Sequence, residues 1–243
     1  MLRTVWFFVV MVASTIWYGT SVLVAGLMGV PRRDGGVYDR AAKRWARNAL
    51  WAAGIPYRVV GVDHVPLGGP FVVASNHQSW FDIFLLAAVL PGSLRFVAKK
   101  ELASVPLLGR AMRQAGHVFI DRQHRQAAFG AYDEAAAAIQ AGISAVVFPE
   151  GTRSRTGELR PFKSGAFKLA IETKTPVVPL AITGTREALP RGSWVFRHRV
   201  HGTLTILPPV DTATLQVSDT NALTQDVFRS IQRIVTQSSD RDA

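Results

Sequence analysis

The pattern that most limits what this chain can become starts at Tyr57. Short apolar runs stand at Tyr57–Val62, Phe71–Ala74, Leu94–Ala98, His117–Ile120, Ser144–Phe148, Val177–Thr183 and Thr203–Leu207. Between and after them lie stretches with helical length and pattern: Ser79–Leu90, Pro106–Gln114, Gln126–Ala141, Ser164–Thr173 and Asn221–Gln237. A strand buried on both faces reads as a continuous apolar run, because helices cover it above and below. The alternation therefore predicts an α/β fold, a central, largely parallel sheet flanked by helices. In such folds ligands meet the sheet outside the carboxyl ends of the strands. The polar residues just after each run are the ones that bear on function.

The N-terminus carries a different signal. From Thr4 to Val30 no residue is charged and most are apolar. A membrane-crossing helix needs roughly 20 such residues, and the apolar part of a cleaved signal only about 7–15. The run is expected to embed in a membrane. It does so either as a tilted span or as a re-entrant hairpin broken at Gly19 and Gly26. Only Arg3 precedes it, whereas Arg32, Arg33, Arg40, Lys43, Arg44 and Arg47 follow. That asymmetry is expected to place the rest of the chain in the cytoplasm. Residues 1–36 read as an anchor and linker, and 37–243 as the second domain. Tyr38–Ala53 reads as a helix with Tyr38, Ala41, Trp45, Ala49 and Ala52 on one face and Arg40, Arg44 and Arg47 on another. It suits either the lipid headgroup layer or an ordinary protein surface.

A formal net charge of +11 calls for an anionic partner. No RNA-binding aromatic motif is present, so an anionic membrane lipid or a phosphorylated substrate is expected rather than nucleic acid. The absence of Cys rules out disulfides, thiolate metal sites and a Cys nucleophile. No dinucleotide or phosphate loop, serine elbow or zinc-protease helix occurs. His198 and His201, three apart on a strand, would face opposite ways. His64 and His124 lie in polar turns and read as exposed. Neither a metal nor a cofactor is expected.

Two elbows carry the chemistry. Phe71–Ala74 runs into Ser75, Asn76, His77 and Gln78, and Ser79 opens the next helix with Asp82 three residues on. By spacing Ser79 and Asp82 form a capping box. The same Asp82 could also accept from one nitrogen of His77 and leave the other as a base. In the second elbow, Ser144–Phe148 runs into Pro149, Glu150, Gly151, Thr152, Arg153, Ser154 and Arg155. It reads either as a surface turn with a Glu–Arg pair or as a phosphate site built on arginine forks. Lys99, Lys100, Arg122, Lys163 and Lys168 stand near strand ends or helix starts and would gather positive charge at one rim.

Asn76 to Asp82 (N-H-Q-S-W-F-D), Gly116 to Arg122 (G-H-V-F-I-D-R), Phe148 to Ser154 (F-P-E-G-T-R-S) and Val177 to Ile182 (V-V-P-L-A-I) occur in this order. Together they resemble the four blocks of the glycerolipid acyltransferase family, over about half the chain. Bacterial members of this size are typically 1-acyl-sn-glycerol-3-phosphate acyltransferases. The resemblance implies that His77 is the general base and that Asp82 orients it. Asn76 and Ser79 belong to the same block. It further implies that Gly116, Phe119, Arg122, Glu150, Gly151, Thr152, Arg153 and Lys163 serve the acceptor, and that Pro179 borders the acyl-donor path; Lys100, from the basic rim, is expected to bind substrate with them. The implied reaction moves an acyl chain from acyl-CoA or acyl carrier protein to the 2-hydroxyl of 1-acylglycerol 3-phosphate (lysophosphatidic acid), giving phosphatidic acid. Direct transfer needs no acyl-enzyme, and backbone N–H groups at the start of the Ser79 helix are expected to stabilise the oxyanion. Two alternatives stand beside it. One is the same chemistry on a lysophospholipid, an aminolipid or glycerol 3-phosphate; the other is a non-catalytic membrane protein that binds anionic lipid.

Overall fold

The structure is a computed structural model that describes residues 2–121, 125–154, 157–189, 195 and 201–239. Its centre is a seven-stranded sheet. The strands are β1 (Tyr57–Val60), β2 (Val72–Ser75), β3 (Leu94–Lys99), β4 (Val118–Ile120), β5 (Ser144–Val147), β6 (Val177–Thr183) and β7 (Gly202–Ile206). They lie in the order β1-β7-β6-β2-β5-β3-β4. From β6 to β4 every pairing is parallel, while β7 runs antiparallel to β6 and carries β1 parallel to itself. The largely parallel sheet is thus present, with a reversed pair at one edge.

The central strands are continuous apolar runs because both faces are covered. On one face Val73, Phe96, Val146, Val178 and Leu180 pack under α3 (Phe81–Val89) through Leu85 and Leu86. On the other, Val72, Ala74, Ala145 and Val147 meet α5 (Arg125–Gln140), α6 (Gly165–Glu172) and α8 (Thr220–Ser239) through Ala135, Phe167 and Ile231. Neighbouring residues of one strand feed opposite cores, as the pleat requires. The edge strand β1 departs from expectation. Three of its four side chains are exposed, and it ends at Val60 rather than Val62. With no neighbour on one side, that run never needed two apolar faces.

Pro179 sits within β6, level with Ala74 of β2. A proline inside a central strand normally forfeits a ladder bond. Here its carbonyl accepts from the Leu207 N–H, just past the end of β7. N–H and C=O of one strand residue point the same way, so the missing donor faces a place where β7 has already ended.

The N-terminal run is one unbroken helix, α1 (Leu2–Leu27), and α2 (Val37–Ala53) follows it. Of the two forms considered, the hairpin broken at Gly19 and Gly26 does not occur. Instead these glycines admit α4 (Leu108–Ala115) and the residue before it. A Cβ on Gly26 would lie 2.2 Å from the Gln114 side-chain amide, and one on Gly19 would lie 3.0 Å from Leu107. Phe7 packs on Phe81 and Phe84 of α3, with ring centroids 6.0 and 6.3 Å away. Val22 and Ala25 join Tyr38, Ala41, Ala111 and Ala115. Hence α1 is part of the folded body along one stripe. Its other side exposes Val5, Trp6, Val9, Val12, Ile16 and Trp17, and Trp6 meets the exposed Trp51 of α2 edge-on at 5.7 Å. By length and composition α1 is long and apolar enough to cross a membrane.

Phe7→Ala removes the ring that clasps α1 to α3. A buried Phe→Ala change costs about 3–5 kcal/mol. The variant is expected to unfold at a clearly lower temperature in detergent solution, followed by circular dichroism. An unchanged midpoint would show that α1 adds nothing to the fold.

Candidate active site

The site is built where β2 ends. Beyond Ser75 the Asn76 side chain continues the pairing in place of backbone. Its Oδ1 accepts from the Ile182 N–H at 2.7 Å and its Nδ2 donates to the Ile182 carbonyl at 2.8 Å. This amide clamp on β6 lets the main chain leave the sheet without stranding buried polar groups, and it commits Asn76 to scaffolding.

His77 comes next, and four contacts fix it. Its ring stacks on Phe148 with centroids 4.1 Å apart. Its backbone N–H donates to Glu150 Oε1 at 2.7 Å, and its carbonyl accepts from the Ser154 N–H at 3.0 Å. Its Nδ1 lies 2.8 Å from Asp82 Oδ2. A carboxylate only accepts, so in the neutral imidazole Nδ1 carries the proton and Nε2 the lone pair. The imidazole keeps 13% of its surface exposed, whereas Asp82 is fully buried.

The Asp82 carboxylate collects four donors. Oδ2 accepts from His77 Nδ1, from the Gln78 N–H at 2.7 Å and from the Ser79 N–H at 2.8 Å. Oδ1 accepts from Thr185 Oγ1 at 2.6 Å. The expected capping box is therefore altered. The helix begins at Phe81 after Trp80, and no side chain caps it at that residue. Ser79 Oγ stands 3.5 Å from the Phe81 N–H, and the carboxylate reaches back to the two residues before Trp80. Serving the elbow and orienting the histidine are one arrangement. Another expectation is corrected with it. The Gln78 and Ser79 N–H groups are spent on Asp82, so neither is free to hold an oxyanion. The Trp80 N–H has no acceptor among the described residues.

The second elbow faces the first. Glu150 is buried, and its Oε2 accepts from the Arg160 N–H at 3.0 Å while Oε1 holds His77. Burial, with the Asp82 charge adding to it, pushes this carboxyl up to about 7, against the pull of its two N–H donors. Gly151 adopts φ 74° beside the Lys163 side chain; a Cβ there would lie 3.4 Å from Nζ. Thr152 lies between Gly151 and Arg153, half-buried. The Arg153 guanidinium sits over the Trp80 ring, 5.7 Å from its centroid, a cation–π contact. His77, Asp82, Ser79, Glu150, Gly151, Thr152, Arg153 and Lys163 are thus gathered at one end of the sheet.

The remaining residues lie apart. Lys100 pairs with Asp121 and ties the ends of β3 and β4. Gly116 closes α4 at φ 89°, before β4 and so at the opposite end of the parallel strands from His77. With Phe119 it lines a cavity of about 1000 Å³. Pro179 lies inside β6. Arg122, Arg155, His124 and His198 fall outside the described residues. His64 is half-buried rather than exposed, with Nδ1 2.8 Å from the Ile206 carbonyl. His117 is lowered to about 3 by burial and then by Arg95, so it is neutral at physiological pH. Among the described residues no cluster suits a metal ion. Thr185 was missed from sequence. It lies 103 positions from Asp82, and no local pattern links them.

Glu150 ties stability to pH. Its carboxyl titrates near the ordinary 4.5 when unfolded and at about 7 when folded. Between those values the folded chain holds a proton that the unfolded chain has lost, so this contribution falls as pH rises through the window. Glu150→Gln cannot titrate and also loses one acceptor. The wild type's advantage over it is expected to shrink between about pH 5 and about pH 8, read from denaturant midpoints. An advantage that grew over that range would contradict the shift.

Residues 56–183 match the acyltransferase family. A 1-acyl-sn-glycerol-3-phosphate acyltransferase of Limnanthes douglasii is 35% identical over 207 residues, 85% of this chain and 72% of the relative. The mouse (Mus musculus) 1-acyl-sn-glycerol-3-phosphate acyltransferase alpha is 35% identical over 188 residues, 77% of this chain and 66% of the relative. The crystal structure of the 1-acyl-sn-glycerophosphate (LPA) acyltransferase PlsC from Thermotoga maritima superposes with a TM-score of 0.82 at 28% identity, over 98% of this chain and 95% of that one. With the family match spanning both elbows that build the site, the chain belongs to the acyltransferase family.

Proposed function

We propose that this protein transfers an acyl chain from a thioester, acyl-CoA or acyl carrier protein, to the 2-hydroxyl of 1-acylglycerol 3-phosphate, giving phosphatidic acid. The single observation that carries the reading is the 2.8 Å contact from His77 Nδ1 to Asp82 Oδ2, which leaves Nε2 as an acceptor beside a cationic elbow. The names of the relatives supply the acceptor.

An alcohol is a weak nucleophile at neutral pH. His77 Nε2 takes the hydroxyl proton as the oxygen attacks the thioester carbonyl. Asp82 stabilises the imidazolium that forms. The new C–O bond closes, the C–S bond breaks, and the imidazolium returns the proton to the departing thiolate. No covalent acyl-enzyme is required, in keeping with a chain that has no Cys. The Trp80 N–H is the elbow's candidate donor to the oxyanion. Arg153, held over Trp80, and Lys163 beside Gly151 bind the acceptor phosphate and so place its hydroxyl. Arg122 joins them in this reading. The outer face of α1, rich in Trp and Val, lies in the lipid of the inner membrane, with the site on its cytoplasmic face, where acceptor and product reside. Anionic lipid offsets the basic charge.

His77→Ala is expected to lower kcat by about 100-fold or more, the size of a general-base contribution, with folding intact by circular dichroism. Asp82→Asn should act in the same direction. Labelled acyl-CoA with lysophosphatidic acid provides the assay. Activity within a few-fold of wild type in His77→Ala would remove the base assignment. Arg153→Ala should raise the acceptor KM by about tenfold, as loss of a charge-assisted bond predicts, with a smaller change in kcat. An unchanged acceptor KM would count against the phosphate clamp.

A further inference from the structure

The network around His77 does not end with the two elbows. At the end of β6 the chain turns through Gly184, whose φ is 78° and whose Cβ, if present, would lie 2.0 Å from the His201 carbonyl. Only glycine fits both demands. That turn delivers Thr185, the first residue of the short helix α7 (Thr185–Ala188), to the buried carboxylate. Thr185 is buried, and its Oγ1 stands 2.6 Å from Asp82 Oδ1. Its methyl group faces β7, where a Cβ on Gly202 would meet Cγ2 at 3.4 Å. The side chain is therefore held from both sides, with its hydroxyl hydrogen directed at the carboxylate, the acceptor of the pair.

We propose that Thr185 is a positioning residue for the reaction, acting on His77 through Asp82. This rests on the reading of His77 as the base. A carboxylate turns readily about its Cβ–Cγ bond, because that torsion is broad. The donors on Oδ2 meet at one oxygen and leave the far oxygen as a lever. Thr185 holds that lever, fixing the carboxylate plane in which Oδ2 faces Nδ1. Without the hydroxyl, Oδ1 is a buried acceptor with nothing to accept. The carboxylate then twists toward other donors, and the imidazole loses its fixed tautomer and plane. Thr185 touches no reacting atom, since Asp82 stands between it and His77.

The test uses the full chain with Thr185→Val, which keeps the shape and removes the donor, and Thr185→Ser, which keeps the donor. Thr185→Val is expected to lower kcat by about tenfold, equal to ~1.4 kcal/mol. Both KM values should stay within about twofold, and Thr185→Ser should restore kcat to within about threefold of wild type. The downfield proton signal of the His77 Nδ1–H, assigned by its loss in His77→Ala, should move or broaden in the valine variant and stay in the serine variant. Wild-type kcat in Thr185→Val overturns the proposal. So does an equal loss in both variants, or a loss confined to KM. If the valine variant does not fold, the serine variant decides alone: near-wild-type kcat and an unmoved signal support the proposal, and a tenfold loss overturns it. Should His77→Ala remain active, the base reading fails, while the proton signal still reports whether Thr185 holds Asp82.

Discussion

Everything at this site hangs on one buried carboxylate. Burying a charge without partners is prohibitively costly, and Asp82 is fully buried. It is tolerable because two backbone N–H groups, an imidazole and a hydroxyl surround it. Satisfying that one group shapes the rest. The chain must fold back over the start of α3 to present the N–H groups of Gln78 and Ser79. His77 is thereby carried to the same carboxylate oxygen. Glu150 does the matching work from the opposite elbow, holding the His77 backbone while Asp82 holds its ring. Two buried carboxylates thus grip one residue in a strongly basic chain, and their mutual repulsion is one cause of the raised Glu150 titration.

The central sheet was legible because its strands are buried on both faces. Val72 and Val73 feed different cores, so both must be apolar, and the run shows it directly. The edge strand β1 was overextended for the converse reason. The pair His77 and Asp82 was legible because its spacing is local. Its consequences were not, since spacing cannot say which donors a carboxylate consumes. The N–H groups expected for the oxyanion are the ones Asp82 takes. Thr185 and the Asn76–Ile182 clamp were invisible because they join residues more than a hundred positions apart. Only the crossover that sets β6 beside β2 brings them together.

The N-terminal helix shows how one apolar segment divides between a core and an exposed surface. Phe7 belongs to a protein core and Trp6, next in the chain, to the outer surface. The apolar run reads as a membrane segment because a residue facing lipid and one facing α3 satisfy the same rule. What separates them is the pair of glycines at which α4 comes close. The glycines bind α1 to α4, and Phe7 binds it to α3, which starts at Phe81, beside Asp82. The exposed apolar surface of α1 and the His77 elbow are therefore linked through α3, which suits the proposed transfer to a lipid acceptor.

In the proposed mechanism His77 moves a proton and never carries the acyl group. The most direct test is to mix the wild-type protein with labelled acyl-CoA in the absence of acceptor, quench rapidly and measure label bound covalently to the chain. The account predicts none at any time, with label appearing only in phosphatidic acid once lysophosphatidic acid is added. Stoichiometric label on His77 that is chased into product by the acceptor would contradict it.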